Sequence, residues 1–257
     1  MAPVTVERSE SVAILSIDRP AERNALSAAV ADALVEELTA LYDTATRCVL
    51  LRGEGDTFCA GGDIGADAAL VRDEISTEGW ADRQARIGEA VAAVYDCPVP
   101  TIAAVDGPAV AEGGCLALSC DIRLASTDAA IGFGFRRFGQ AAAAGASYLL
   151  PRAVGRDVAA HLLYTGALVD AHTAAERGLF TRVVPPGEFE DELASLTATV
   201  STGPAAAMQA NKKLLENERE SLSGALDAER DLRETLVETA DFREGVESVL
   251  ERREPDF

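Results

Sequence analysis

The fold is decided by the stretch Pro100-Thr101-Ile102-Ala103-Ala104-Val105-Asp106-Gly107-Pro108-Ala109-Val110-Ala111-Glu112-Gly113-Gly114-Cys115-Leu116-Ala117-Leu118-Ser119-Cys120-Asp121. It reads as a buried strand, a tight turn, a glycine pair opening a helix, and a small-residue helix that ends at an acid. Backbone N–H groups at such a helix N-terminus lack intrahelical partners and can hold a developing oxyanion.

On either side of this stretch the chain alternates strands with helices. Val4–Arg8 and Val12–Ile17 read as two strands with a turn at Ser9-Glu10-Ser11. A loop follows, and Ser27 is the expected N-cap of a helix running to about Asp43. Cys48–Gly53 reads as a buried strand, the polar segment through Glu78 as a mobile loop, and Ala81–Tyr95 as a helix. Ile122–Ala125 and Ala129–Phe135 are expected strands, and Ser147–Val154, Val158–Thr165 and Ala171–Arg177 expected helices. Thr181–Val184 is strand-like; past Pro185-Pro186-Gly187 the chain turns charged and helix-rich. The class is α/β with parallel crossovers, divided into a core over 1–195 and a helical region over 196–257.

Composition narrows the partners. The 257 residues suffice for a full core, with 48% hydrophobic and 5% aromatic content. No run approaches the roughly 18 apolar residues of a membrane span, and the start lacks a basic-then-apolar leader. The expectation is a soluble cytoplasmic protein. A formal charge of −20 argues against nucleic acid, whose phosphates it would repel. Lys212 and Lys213 are the two lysines among 23 basic residues, and the 43 acids are spread along the chain. Adaptation to high salt, where screening removes self-repulsion, accounts for this pattern; an ordinary acidic protein with an arginine preference is the alternative. The five cysteines, at 48, 59, 97, 115 and 120, fit neither a disulfide framework nor a zinc pattern. His161 and His172 fall on helical stretches without ligand partners, so no metal is expected.

The central stretch closely resembles the second signature of the crotonase (enoyl-CoA hydratase/isomerase) superfamily, and four further pieces follow in order. Asp18-Arg19-Pro20 with Arg23-Asn24-Ala25-Leu26-Ser27 is similar to the opening motif of the family. Phe58-Cys59-Ala60-Gly61-Gly62-Asp63-Ile64 is similar to its first oxyanion and CoA loop. Thr165-Gly166, Ala174–Leu179 and Val183-Val184 resemble the lead into the C-terminal helices, and 241–246 with 251–257 resemble the ending. The resemblance implies a spiral of ββα units with C-terminal helices that mediate homotrimers, often paired into hexamers. It implies acyl-CoA substrates, no cofactor, and two backbone N–H groups on the thioester oxygen. By position it assigns the first N–H to Ala60 and the second to Glu112, with Gly113 next in line. It places Ala25, Cys59, Gly61, Gly62, Asp63 and Ile64 along the substrate, Arg23 at pantetheine or phosphate, and Lys212 near the CoA 3′-phosphate.

The glutamate pair that hydratases use is not in its usual places. Cys115 stands at the first position and Phe135 at the second, and Gln140–Gly145 contains no titratable side chain. Glu112 is the acid left inside the signature: it is either a relocated general acid/base or a solvated glutamate favoured at a helix start. Arg136 and Arg137 read either as a clamp for an acyl carboxylate or as partners for surface acids. Phe133, Phe135 and Phe138 suit the wall of an apolar acyl pocket, and Ile131, Phe133 and Phe135 equally suit one buried strand face. The expectation is an acyl-CoA enzyme of the hydratase/isomerase type. Decarboxylation or hydrolysis of a CoA thioester, and acyl-CoA binding without catalysis, are the alternatives.

Overall fold

A computed structural model of the chain describes residues 2–41 and 44–216, together with 235, 239–242, 244, 251, 253 and 256. Two strands, β1 (Val4–Arg8) and β2 (Val12–Ile17), form an antiparallel hairpin. Helix α1 (Ala28–Thr39) starts at Ser27, whose side chain accepts the Val30 N–H at 3.3 Å. Strand β3 (Cys48–Gly53) pairs parallel with β2, and helices α2 (Ile64–Val71) and α3 (Thr77–Tyr95) then lead to β4 (Thr101–Val105). Strand β5 (Pro108–Val110), helix α4 (Glu112–Ser119), β6 (Ile122–Ser126) and β7 (Ala130–Gly132) follow. Helices α5 (Ala146–Val154) and α6 (Arg156–Thr165), strand β8 (Leu168–Asp170), α7 (Ala171–Glu176), β9 (Arg182–Val184), α8 (Pro186–Ser201) and α9 (Ala205–Glu216) complete the described elements.

The large sheet has the order β1-β2-β3-β4-β6-β9 and is parallel from β2 onward; a smaller sheet has the order β5-β7-β8. Strands β3 and β4 carry near-continuous apolar runs because both sheet faces are covered. On one face Val49, Leu51, Ala103 and Val105 join the core with Leu34 of α1 and Val91 of α3. On the other, Leu50, Ile102, Ala104 and Leu124 pack with Phe189 and Leu193 of α8. Residues 195 and 196 both lie inside α8, so a division at that point cuts a helix that the main sheet needs for its second face.

Other expectations change too. The segment expected to be a mobile loop contains α2, capped by Asp63 and tied to α3 by the Trp80 Nε1–H donating to Asp67 at 2.7 Å. The strand expected over 129–135 ends at Gly132, and Phe135–Phe138 forms a short 3-10 helix. The C-terminal motifs at 241–246 and 251–257 lie largely outside the described residues.

Candidate active site

Main-chain hydrogen bonds on both sides fix the loop from Cys59 to Asp63. On one side the Cys59 N–H donates to Pro108 O at 3.1 Å and the Val110 N–H to Cys59 O at 2.9 Å. On the other, the Leu26 N–H donates to Gly61 O at 2.8 Å and the Asp63 N–H to Leu26 O at 3.0 Å. The Ala60 N–H donates to Arg23 O at 3.0 Å. That bond engages the donor assigned to the oxyanion from sequence, so Ala60 is a turn-forming residue here. The donor that faces the site is Gly62, whose N–H points to Glu112 Oε2 at 2.8 Å.

Helix α4 meets this loop end-on. Its N-cap is Ala111, with φ 51° and ψ −117°, a conformation that alanine rarely adopts. The Ala111 N–H is anchored to Gly132 O at 2.7 Å, and Cys115 N–H donates to Ala111 O at 3.1 Å to begin the helix. Glu112 is the first helical residue, and among the described residues its N–H has no acceptor. Gly113 presses against the loop: a Cβ there would lie 2.3 Å from Cys59 O, so only glycine permits the approach. The Gly62 N–H and the N-terminus of α4 are thus neighbours, bridged by the Glu112 side chain.

The remaining candidates fall into two groups. Arg23 and Ile64 are exposed, while Ala25, Cys59 and Gly61 are buried beside the loop backbone. Asp63 caps α2, accepting the Gly65 N–H at 2.9 Å, and pairs with the Arg19 guanidinium at 3.3 Å. Its carboxylate is therefore held by the fold. Cys115 and Phe135 are buried, and burial drives the Cys115 thiol far above its ordinary range. The Cys59 thiol is pushed up to about 12 for the same reason. Neither thiol is a proton carrier near neutrality.

Two further candidates, the arginine pair and Lys212, meet partners of their own. Arg136 donates to Thr165 O at 3.2 Å and Arg137 to Gly166 O at 3.5 Å, so both cations sit at the C-terminus of α6. That is the favourable end of the helix dipole. Lys212 is buried, donating to Asp121 Oδ2 at 2.9 Å and to Val99 O at 3.4 Å. It fastens α9 to the core instead of reaching a CoA phosphate.

A cavity of about 320 Å³ opens beside the loop between α1, α2 and α3, lined by Leu26, Ser27, Asp63, Arg83, Gln84 and Ile87 among others. Among the described residues no three His, Cys, Asp or Glu side chains converge on a metal site, and no helix is long and apolar enough to cross a membrane. Sequence reasoning placed Gly62 along the substrate but passed over the direction of its N–H. The available signal was the pair Gly61-Gly62 itself: Gly61 has φ +102°, which turns the backbone so that the next N–H faces the site.

The profile of the enoyl-CoA hydratase/isomerase family matches residues 7–257. The chain belongs to that family. It is 36% identical to a probable enoyl-CoA hydratase of Rhodobacter capsulatus, over 99% of this chain and 97% of the relative. It is 33% identical to the 2,3-dehydroadipyl-CoA hydratase of Escherichia coli, over 100% and 99%. A crystal structure of an enoyl-CoA hydratase from Bacillus anthracis superposes with a TM-score of 0.92 at 29% identity, covering 99% of this chain and 98% of that one. The α/β architecture is thus the crotonase fold.

Proposed function

We propose that this member of the enoyl-CoA hydratase/isomerase family binds an acyl-CoA thioester with its carbonyl oxygen between the Gly62 N–H and the Glu112 N–H. The observation that carries this is the Gly62 N–H aimed at an acceptor oxygen 2.8 Å away, beside the helix terminus at Glu112. Both donors belong to rigid backbone and need no reorganisation as the oxygen gains enolate charge, which is where such donors act most strongly.

Proton transfer falls to the Glu112 carboxylate. Cys115 and Phe135 offer no acid, and Asp63 is committed to Arg19 and Gly65. In hydration of a 2-enoyl thioester, one carboxylate accepts a proton from water as oxygen bonds to C3, then returns it to C2 as the enolate collapses. The proton count closes with a single group. The same group can move a proton between two carbons in double-bond isomerisation.

The proposal includes no cofactor, a cytoplasmic location and a homotrimer or hexamer. Decarboxylation of a CoA-linked diacid is the second choice, since Arg136 and Arg137 each already donate to a carbonyl at the end of α6. The test is crotonyl-CoA hydration in molar KCl by wild type and Glu112→Gln. Turnover that falls about a hundredfold or more in the variant supports the proposal; no turnover by a folded wild type that binds acyl-CoA favours a non-catalytic binding protein.

A further inference from the structure

We infer that the Glu112 side chain is a built-in competitor for the substrate oxygen, occupying the Gly62 donor until a thioester displaces it. The inference rests on the reading that Gly62 receives that oxygen.

The carboxylate lies over both glycines of the loop. Its Oε2 accepts the Gly62 N–H at 2.8 Å. A Cβ placed on Gly61 would stand 3.1 Å from Oε2, and one on Gly62 would stand 3.2 Å from Oε1. Two side-chain-free residues thus make the room that the carboxylate fills. The contact is a charge-assisted hydrogen bond on the electropositive end of α4, where an anion is favoured. The facing groups from the packed elements, the Cys59 and Cys115 thiols, are buried and neutral.

A neutral thioester carbonyl is a weaker acceptor than a carboxylate, so the incoming substrate must displace a better ligand than itself. The cost of that displacement falls on the binding step and raises the dissociation constant, leaving the chemical step after eviction unaffected. It also couples two events. The group released from the donor is the same one that carries the proton, so Glu112 is set free when a thioester oxygen takes its place.

The experiment compares calorimetric binding of butyryl-CoA, which has the carbonyl but no double bond, with S-butyl-CoA, its thioether lacking the carbonyl. Wild type, Glu112→Ala and Glu112→Gln are each titrated. Glu112→Ala is expected to bind butyryl-CoA about tenfold more tightly than wild type, the size of one charge-assisted bond no longer displaced. Its affinity for the thioether stays unchanged, and Glu112→Gln falls between, because a neutral amide oxygen competes less well. Equal gains for both ligands would assign the effect to relief of charge repulsion with CoA and overturn the inference; so would no gain for butyryl-CoA. Should Glu112→Ala fail to fold, Glu112→Asp, one methylene too short to reach Gly62, replaces it with the same expectation. Crotonyl-CoA turnover is read separately. Lost turnover without a binding gain removes the competitor and keeps the proton carrier, whereas a binding gain with turnover intact does the reverse.

Discussion

Lys212 Nζ lies 2.9 Å from Asp121 Oδ2, and this pair joins α9 to the residue that follows the last turn of α4. Asp121 also accepts the Thr101 N–H at 2.7 Å and the Thr101 hydroxyl at 2.9 Å, so one carboxylate links β4, the end of α4 and α9. Removing the lysine leaves that carboxylate short of its cation. The Lys212 side chain is 5% exposed but that of Asp121 is 34% exposed, which lets water compensate in part. Lys212→Met is therefore expected to cost about 3 kcal/mol in urea unfolding, the low end of the range for a broken buried pair. The exposed neighbour, tested as Lys213→Met, should cost under about 0.5 kcal/mol.

Ala111 holds a backbone conformation that glycine adopts freely. Ala111→Gly is expected to raise stability by about 1 kcal/mol in the same assay. Ala111→Val should lower it by more than that, since a β-branched side chain tolerates positive φ worst. An Ala111→Gly variant less stable than wild type would show that the turn is not strained.

Arg136 and Arg137 cap α6 at exposed positions. Alanine at both is expected to reduce stability by about 1 kcal/mol or less while leaving kcat/KM for crotonyl-CoA within about twofold of wild type. A selective loss of binding for an acyl-CoA bearing a second carboxylate would assign the pair to a clamp on that group instead.

All five cysteines are buried, and burial pushes the Cys48, Cys59 and Cys120 thiols up to about 12. Reactivity requires thiolate, so the folded protein at pH 8 should release no chromophore from a disulfide reagent within minutes, and five equivalents once unfolded in guanidinium. Prompt reaction of a native thiol would mean that a cysteine reaches solvent.

The charge of −20 predicts a salt response. Screening should raise the melting temperature by about 5 °C or more between dilute buffer and molar KCl. An unchanged value would remove the case for adaptation to high salt.

The long elements were legible because their side chains report their surroundings. Strands β2, β3 and β4 carry apolar runs, and Ser27 announces α1. Strands β5 and β8 were not legible: each has three residues, too few for a pattern, and each is defined by register against β7. Helix α2 was missed although Ile64–Val71 is mostly apolar: eight residues that include a glycine give too short a pattern, and Asp63 and Trp80 fix the helix through single hydrogen bonds. Within the site, Glu112 and Gly113 stood out because a helix N-terminus follows from glycine and helix pattern. Which of Ala60 and Gly62 turns its N–H toward α4 left no sign beyond the Gly61-Gly62 pair. It depends on which N–H Arg23 O engages, and that follows from the left-handed turn at Arg23 and Asn24, held by the buried Asn24 amide donating to Glu54 O at 2.8 Å and Thr57 O at 2.6 Å.

The loop from Cys59 to Asp63 is tethered on both flanks by main-chain atoms of Leu26, Pro108 and Val110. The direction of its N–H groups is therefore set by the path of the chain and survives exchange of most side chains around it. Exchanging the side chains of Cys115 or Phe135 leaves those main-chain tethers in place. Chemistry can diverge here faster than architecture, because the loop is held by main-chain bonds and the acids around it are not.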